Sequence, residues 1–222
     1  MKKRRSILSI VLILFLLFNN SPFVFAANFR DTRGHWAEEY IDYLSNAGVL
    51  KGYENGSFKP NSSISKVEFY SMVNKAAGLK KTYTVTFSDV SKSKWYYNEV
   101  AKAIKAGYIT PTTGRLRPEA PISRQEAMRI LGYMYNMNAS DGILNNFSDQ
   151  GQIKSSARGA IAALVEVGAI SGYENGTFRP NNAISRGEVA KIFSLLLDSY
   201  GRPSAKSVLD SKIRFGSRNL HE

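Results

Sequence analysis

A ten-residue stretch occurs twice in this chain almost unchanged. Gly52 to Asn61 reads Gly-Tyr-Glu-Asn-Gly-Ser-Phe-Lys-Pro-Asn, and Gly172 to Asn181 reads Gly-Tyr-Glu-Asn-Gly-Thr-Phe-Arg-Pro-Asn. The first runs into Ser65-Lys-Val-Glu68 and the second into Ser185-Arg-Gly-Glu188. A shorter copy, Gly114 to Pro118 followed by Ser123-Arg-Gln-Glu126, lies between them. The closing glutamates are 58 and then 62 residues apart. Three copies at a near-constant step define a repeat protein, in which each unit is too small to bury its own apolar face and must pack on its neighbours.

Each repeat opens with an aromatic, one residue and an aspartate: Phe29-Arg30-Asp31, Phe87-Ser88-Asp89 and Phe147-Ser148-Asp149. The aspartates are read as loop or helix caps rather than ligands, the role asparagine and aspartate favour at such positions. Apolar residues at helical spacing follow, first Trp36, Tyr40, Ile41 and Leu44, then Trp95, Val100, Ala103 and Ile104, then Ile161, Leu164 and Val165. Gly48, Gly107 and Gly168 close these segments, as expected of helix stops. In the loops, Asn55-Gly56 and Asn175-Gly176 are turn dipeptides, and Phe58, Phe178 and Leu116 are placed to pin the loop to the core.

Ser65, Ser123 and Ser185 each precede a glutamate by three residues, the capping-box spacing for Glu68, Glu126 and Glu188. One-faced apolar stripes follow, such as Phe69, Met72, Val73 and Ala76. The pattern predicts an all-α chain of helix–loop–capped helix units. The simplest closed packing of three is pseudo-threefold around the capped helices, and a linear stack is the alternative.

The residue after each capping serine is a cation: Lys66, Arg124 and Arg186. A cation in the first helical turn opposes the macrodipole, so three in one register point to an offsetting role. A salt bridge to an acid of the neighbouring repeat would supply one. An anionic ligand met jointly by the guanidinium and free helix amides would supply the other. Trp36 and Trp95 are read first as core, the usual place of a tryptophan at the start of a helix, with sugar stacking as the alternative. The matching place in the third repeat is Ser156.

The N-terminus carries Lys2-Lys3-Arg4-Arg5, an apolar run from Ile7 to Phe18 and Val24-Phe25-Ala26. This is the pattern of a secretory signal peptide cleaved after Ala26, so no transmembrane span is expected after cleavage. The formal charge of +12 falls to +8 without the four signal-peptide cations. For an exported protein this favours anionic wall polymers or lipid over nucleic acid. With no cysteine and two histidines, a zinc site or a His-based triad has little to work with, and no cofactor or metal is expected. The acids of the repeats are assigned as caps, so the chain is read as not an enzyme. The divisions are 1–26 signal peptide, 27–84, 85–142 and 143–200 repeats, and 201–222 a flexible basic tail.

The Phe-x-Asp opening, the Trp-initiated helix, the Gly-Tyr-Glu-Asn-Gly-Thr-Phe-Arg-Pro loop and the Ser-Arg-x-Glu helix start together resemble the S-layer homology (SLH) domain. The resemblance covers about Asn28 to Asp198. It implies an all-helical pseudo-trimer whose inter-repeat grooves bind a secondary cell-wall polysaccharide bearing pyruvate ketals, non-covalently, at the bacterial cell surface. By resemblance the binding cation is Arg124, Arg186 and, in the first repeat, Lys66. The groove tryptophans are Trp36 and Trp95, and the loop glycines Gly52 and Gly172 are assigned to the same sites. Departures are Lys66 for arginine, Ser156 for tryptophan and a shorter middle loop. The other functional class is a structural or protein-interaction module of the S-layer or envelope that has lost glycan binding, with envelope proteins as partners.

Overall fold

A computed structural model describes residues 29–203. The expected signal peptide and nearly all of the expected tail lie outside the described residues. Within them the chain is helical. The first helices of the repeats are α1 (Glu38–Asn46), α3 (Tyr97–Ala106) and α5 (Ser155–Glu166). The capped second helices are α2 (Lys66–Ala76), α4 (Arg124–Met134) and α6 (Arg186–Tyr200). Two short 3-10 helices, Asp141–Asn146 and Gln150–Gln152, join the second repeat to the third. No β-sheet occurs among the described residues, only isolated bridges.

The capped helices start as their sequence dictates. Ser65, Ser123 and Ser185 sit in extended backbone and accept from the amides of Glu68, Glu126 and Glu188. The box is reciprocal in α2 and α6, where the glutamate also accepts from the serine amide at 2.9 Å. In α4 only the serine half forms. The first helices have no such cap. Trp36 lies in the turn before α1 and Trp95 in the turn before α3, outside the helices that they were expected to start. Gly48, Gly107 and Gly168 all adopt positive φ just past their helices.

Packing pairs each first helix with a second helix of another repeat. α3 lies on α2, α5 on α4, and α1 on α6. Going round in this order returns to the first repeat. The backbone repeats the cycle at the centre. Ile122 N–H donates to Ile64 O at 3.0 Å, Ile184 to Ile122 at 3.2 Å, and Ile64 to Ile184 at 3.1 Å. The three isoleucines are 0–1% exposed, so these amides and carbonyls have no access to water and depend on one another.

The seams continue outward. The first two amides of each capped helix donate to the loop of another repeat: Lys66 and Val67 to Ala120 and Pro118, Arg124 and Gln125 to Asn182 and Pro180, Arg186 and Gly187 to Ser62 and Pro60. This corrects the expectation of free helix amides at these termini. The first two serve the seam and the third serves the serine cap, so no first-turn amide is left for an anion.

Ile122→Ala should therefore destabilise the whole molecule, by about 2–5 kcal/mol, with one urea transition by both far-ultraviolet dichroism and tyrosine fluorescence. Two separated transitions would mean that the repeats fold independently.

Candidate functional site

The Phe-x-Asp aspartates build the loop wall of the grooves. Asp31 accepts from the amides of Phe58 and Lys59 at 2.7 and 2.8 Å. Asp89 holds Leu116 and Arg117, and Asp149 holds Phe178 and Arg179, in the same way. Lys59, Arg117 and Arg179 have φ of 59, 54 and 57°, a left-handed conformation costing about 1–2 kcal/mol that the paired carboxylate bonds offset. Burial alone would raise the carboxyls of Asp31 and Asp89, but the two amides outweigh it and hold both below the usual range. Gly52 and Gly172 are required sterically: a side chain at either would run into the ring of Phe29 or Phe147.

The first-turn cations cross the seams. Arg186 Nε donates to Phe58 O at 2.7 Å, and its Nη1 meets Glu68 Oε1 at 2.9 Å. Its guanidinium lies 4.4 Å from the Phe58 ring centroid and 4.7 Å from that of Tyr53. Arg124 pairs with Glu188 at 3.4 Å, donates to Ser171 O at 2.8 Å and lies over Phe178 and Tyr173. Its Nε is buried without a partner, unlike that of Arg186. Both arginines are 5% exposed. Lys66 takes the same place in the third seam more loosely, 3.8 Å from Glu126 and 3.2 Å from Leu116 O. The salt-bridge alternative is thus realised at all three positions.

Glu68 and Glu188 carry several duties at once. Each accepts from a capping serine amide, from a tyrosine hydroxyl at 2.7 Å (Tyr53 or Tyr173) and from an arginine of another repeat. Burial pushes their carboxyls up, and the serine, tyrosine and arginine contacts more than reverse it, leaving both below the ordinary glutamate value. The middle loop, Thr110 to Pro118, contains no tyrosine for Glu126.

Two grooves open over these seams, each with walls from all three repeats. The first, of about 260 Å³, is lined by Leu50–Tyr53 and Glu68 of the first repeat, Trp95 of the second and Arg186 of the third. The second, of about 600 Å³, is lined by Gly168–Glu174 and Glu188 of the third repeat, Trp36 of the first and Arg124 of the second. The tryptophans are not core: Trp36 is 54% and Trp95 63% exposed. The structure brings Arg186, Trp95 and Gly52 together, and likewise Arg124, Trp36 and Gly172. Ser156, in the tryptophan's place, is exposed. Lysines that the sequence did not single out also line the grooves, Lys51 and Lys75 in the first and Lys191 in the second. Nothing in the repeat pattern marks them, because the copies differ at these positions.

Fold and grooves together define a helical repeat module with inter-repeat, aromatic-lined clefts. The S-layer homology domain model matches residues 28–69, 86–128 and 146–190. The chain belongs to the S-layer homology family, which makes it a cell-surface anchoring module. It is 30% identical over 186 residues to an amylopullulanase of Thermoanaerobacterium thermosulfurigenes, covering 82% of this chain and 10% of that protein. It is 30% identical to the surface-layer 125 kDa protein of Lysinibacillus sphaericus (74% of this chain, 14% of that one) and to an S-layer protein of Bacillus licheniformis (77% and 20%). The matched region is thus a fifth or less of each of these relatives. No helix among the described residues is long and apolar enough to cross a membrane.

Arg186→Ala should cost about 3–5 kcal/mol, because it strands the half-buried Glu68. Lys66→Ala should cost about 0–1 kcal/mol, its pair being long and more exposed. Urea unfolding of both variants checks this. The pH dependence follows from Glu68 and Glu188. Their folded values lie below the unfolded one, so at acid pH the folded protein holds fewer protons than the unfolded chain. The stability they contribute is complete above the ordinary glutamate value of about 4.3 and is lost as pH falls through the folded value. The urea midpoint should drop in that acid window, and Glu68→Gln/Glu188→Gln should flatten the drop.

Proposed function

We propose that this chain is a non-catalytic anchor that is exported and binds an anionic secondary cell-wall polysaccharide non-covalently in its two tryptophan-bearing grooves. The observation that carries the reading is the exposure of Trp36 and Trp95 beside Arg124 and Arg186. A large indole left in water forgoes about 1.5–3 kcal/mol of burial, and an indole face at a cleft mouth stacks on a sugar ring while its N–H donates to a hydroxyl. Family resemblance supports pyruvate ketals as the acid groups, and the signal-like N-terminus supports export. The seams that run through all three repeats support a pseudo-threefold unit.

Arg124 and Arg186 act in this reading chiefly by holding the loop wall and the glutamate in place. Gly52 and Gly172 let the loop lie flat on its phenylalanine. The Lys66 seam has Ser156 where the other two have tryptophan, and is not counted among the binding grooves. The absence of catalysis is supported by the groove glutamates. A glycoside-cleaving acid needs a raised pKa, whereas Glu68 and Glu188 are lowered and already committed.

Trp36→Ala/Trp95→Ala is the direct test. The residues are exposed, so stability should change by less than about 1 kcal/mol, while co-sedimentation with purified cell wall should fall to the level seen with wall stripped of its secondary polymer. Full retention of wall binding by the double variant would defeat the glycan reading and favour a protein-interaction module.

A further inference from the structure

The charge of Arg186 is already used. Glu68 faces it at 2.9 Å, and the carbonyls of Phe58 and Lys51 take two more of its five donors. The positive charge free to meet a ligand in this groove belongs to Lys51 and Lys75. Both are exposed and line the cleft with Trp95. Neither forms an ion pair within the described residues. They are close enough to repel: the Lys75 ammonium is lowered by partial burial and then by Lys51, with Lys102 adding to the effect and Glu99 opposing it.

The two grooves differ at these positions. Ser171 and Leu195 stand in the third repeat where the first has Lys51 and Lys75. The Trp36 groove instead holds Lys191 and Glu174, whose charges offset each other. An adjoining cavity that shares Tyr53, Glu68 and Trp95 with this groove is lined also by Glu54 and Glu119 with Lys59, and Lys59 lies over the Tyr53 ring at 4.7 Å. An anionic group is therefore favoured on the Lys51–Lys75 side and disfavoured in the adjoining cavity.

We propose that Lys51 and Lys75 form an anion subsite in the Trp95 groove, which takes a glycan segment carrying two neighbouring anionic groups, carboxylate or phosphate. The Trp36 groove, whose charges offset each other, has no such subsite and gains nothing from a second anionic group. This rests on the glycan-binding reading above. Two ammonium groups in one cleft neutralise two negative charges without the fixed planar geometry of an arginine fork, so the subsite reads charge number and direction rather than the shape of the acid group.

The chain has two tryptophans, one per groove, so their indole N–H resonances report on each groove separately. The probes are three disaccharides: one bearing a single pyruvate ketal, one bearing a second ketal on the neighbouring sugar, and one bearing a phosphate there. Titrations followed at the Trp95 resonance should show the two-charge probes binding about tenfold more tightly than the single-charge probe in low salt. At Trp36 the ratio should be near one. In Lys51→Gln/Lys75→Gln the Trp95 ratio should fall to near one and the Trp36 ratio should stay as it was. A preference for only one of the two doubly charged probes would overturn the reading by charge number, since the subsite would then select the shape of one acid group. A Trp95 ratio unchanged by the double substitution, or a ratio near one in the wild type, overturns the subsite while leaving glycan binding standing. Failure of every probe to shift either resonance overturns both.

Discussion

Three hydrogen bonds among Ile64, Ile122 and Ile184 govern the rest of the structure. Each isoleucine donates to one partner and accepts from the other, inside a core that water does not reach. The bonds can be made only when all three repeats are present, because each repeat supplies half of two of them. From this ring the seams run outward in fixed order. The proline loops receive the helix amides, the arginines cross to the next glutamate, and the tryptophans end up at the cleft mouths. The grooves are therefore by-products of closure. Their walls belong to different repeats because the seams do.

This organisation explains an apparent conflict in the sequence. A cation in the first turn of three helices works against the helix dipole, which invites a ligand as explanation. In the structure the cost is met locally. Glu68 and Glu188 place negative charge at the cap, and the arginine of another repeat neutralises that charge in turn. Aromatic rings of Tyr53, Phe58, Tyr173 and Phe178 cover the guanidinium faces. The arginine is thus both a joint between repeats and part of a groove wall. Loss of binding in an arginine variant does not by itself separate these roles, whereas the exposed tryptophans and lysines do.

What was legible in the sequence is what depends on near neighbours. Ser65 with Glu68, Ser185 with Glu188, the Asn-Gly turns and the helix-stopping glycines all act within a few residues, and the all-helical fold followed from them. The half-formed cap at Ser123 was not legible, because Ser123 and Glu126 match the other two boxes residue for residue at both capping positions. Nor was the capture of the helix amides by Pro60, Pro118 and Pro180, since those partners lie about 50–130 residues away. The two 3-10 helices have too short a pattern to register. Lys51 and Lys75 escaped notice for the opposite reason to Arg186. A search for repetition finds what the copies share, and these lysines are where the copies differ.

The contact of α1 with α6 closes the ring in space although the chain there is not joined. Arg202, beyond the end of α6, bonds the carbonyl of Ala47 just after α1, so the two helices of this seam end side by side. Topologically the module is a circle cut at one point, and the cut falls at a seam no different in kind from the others. A circular permutant opened in the 79–84 connection, with the present ends linked, would keep every helix pair and both grooves.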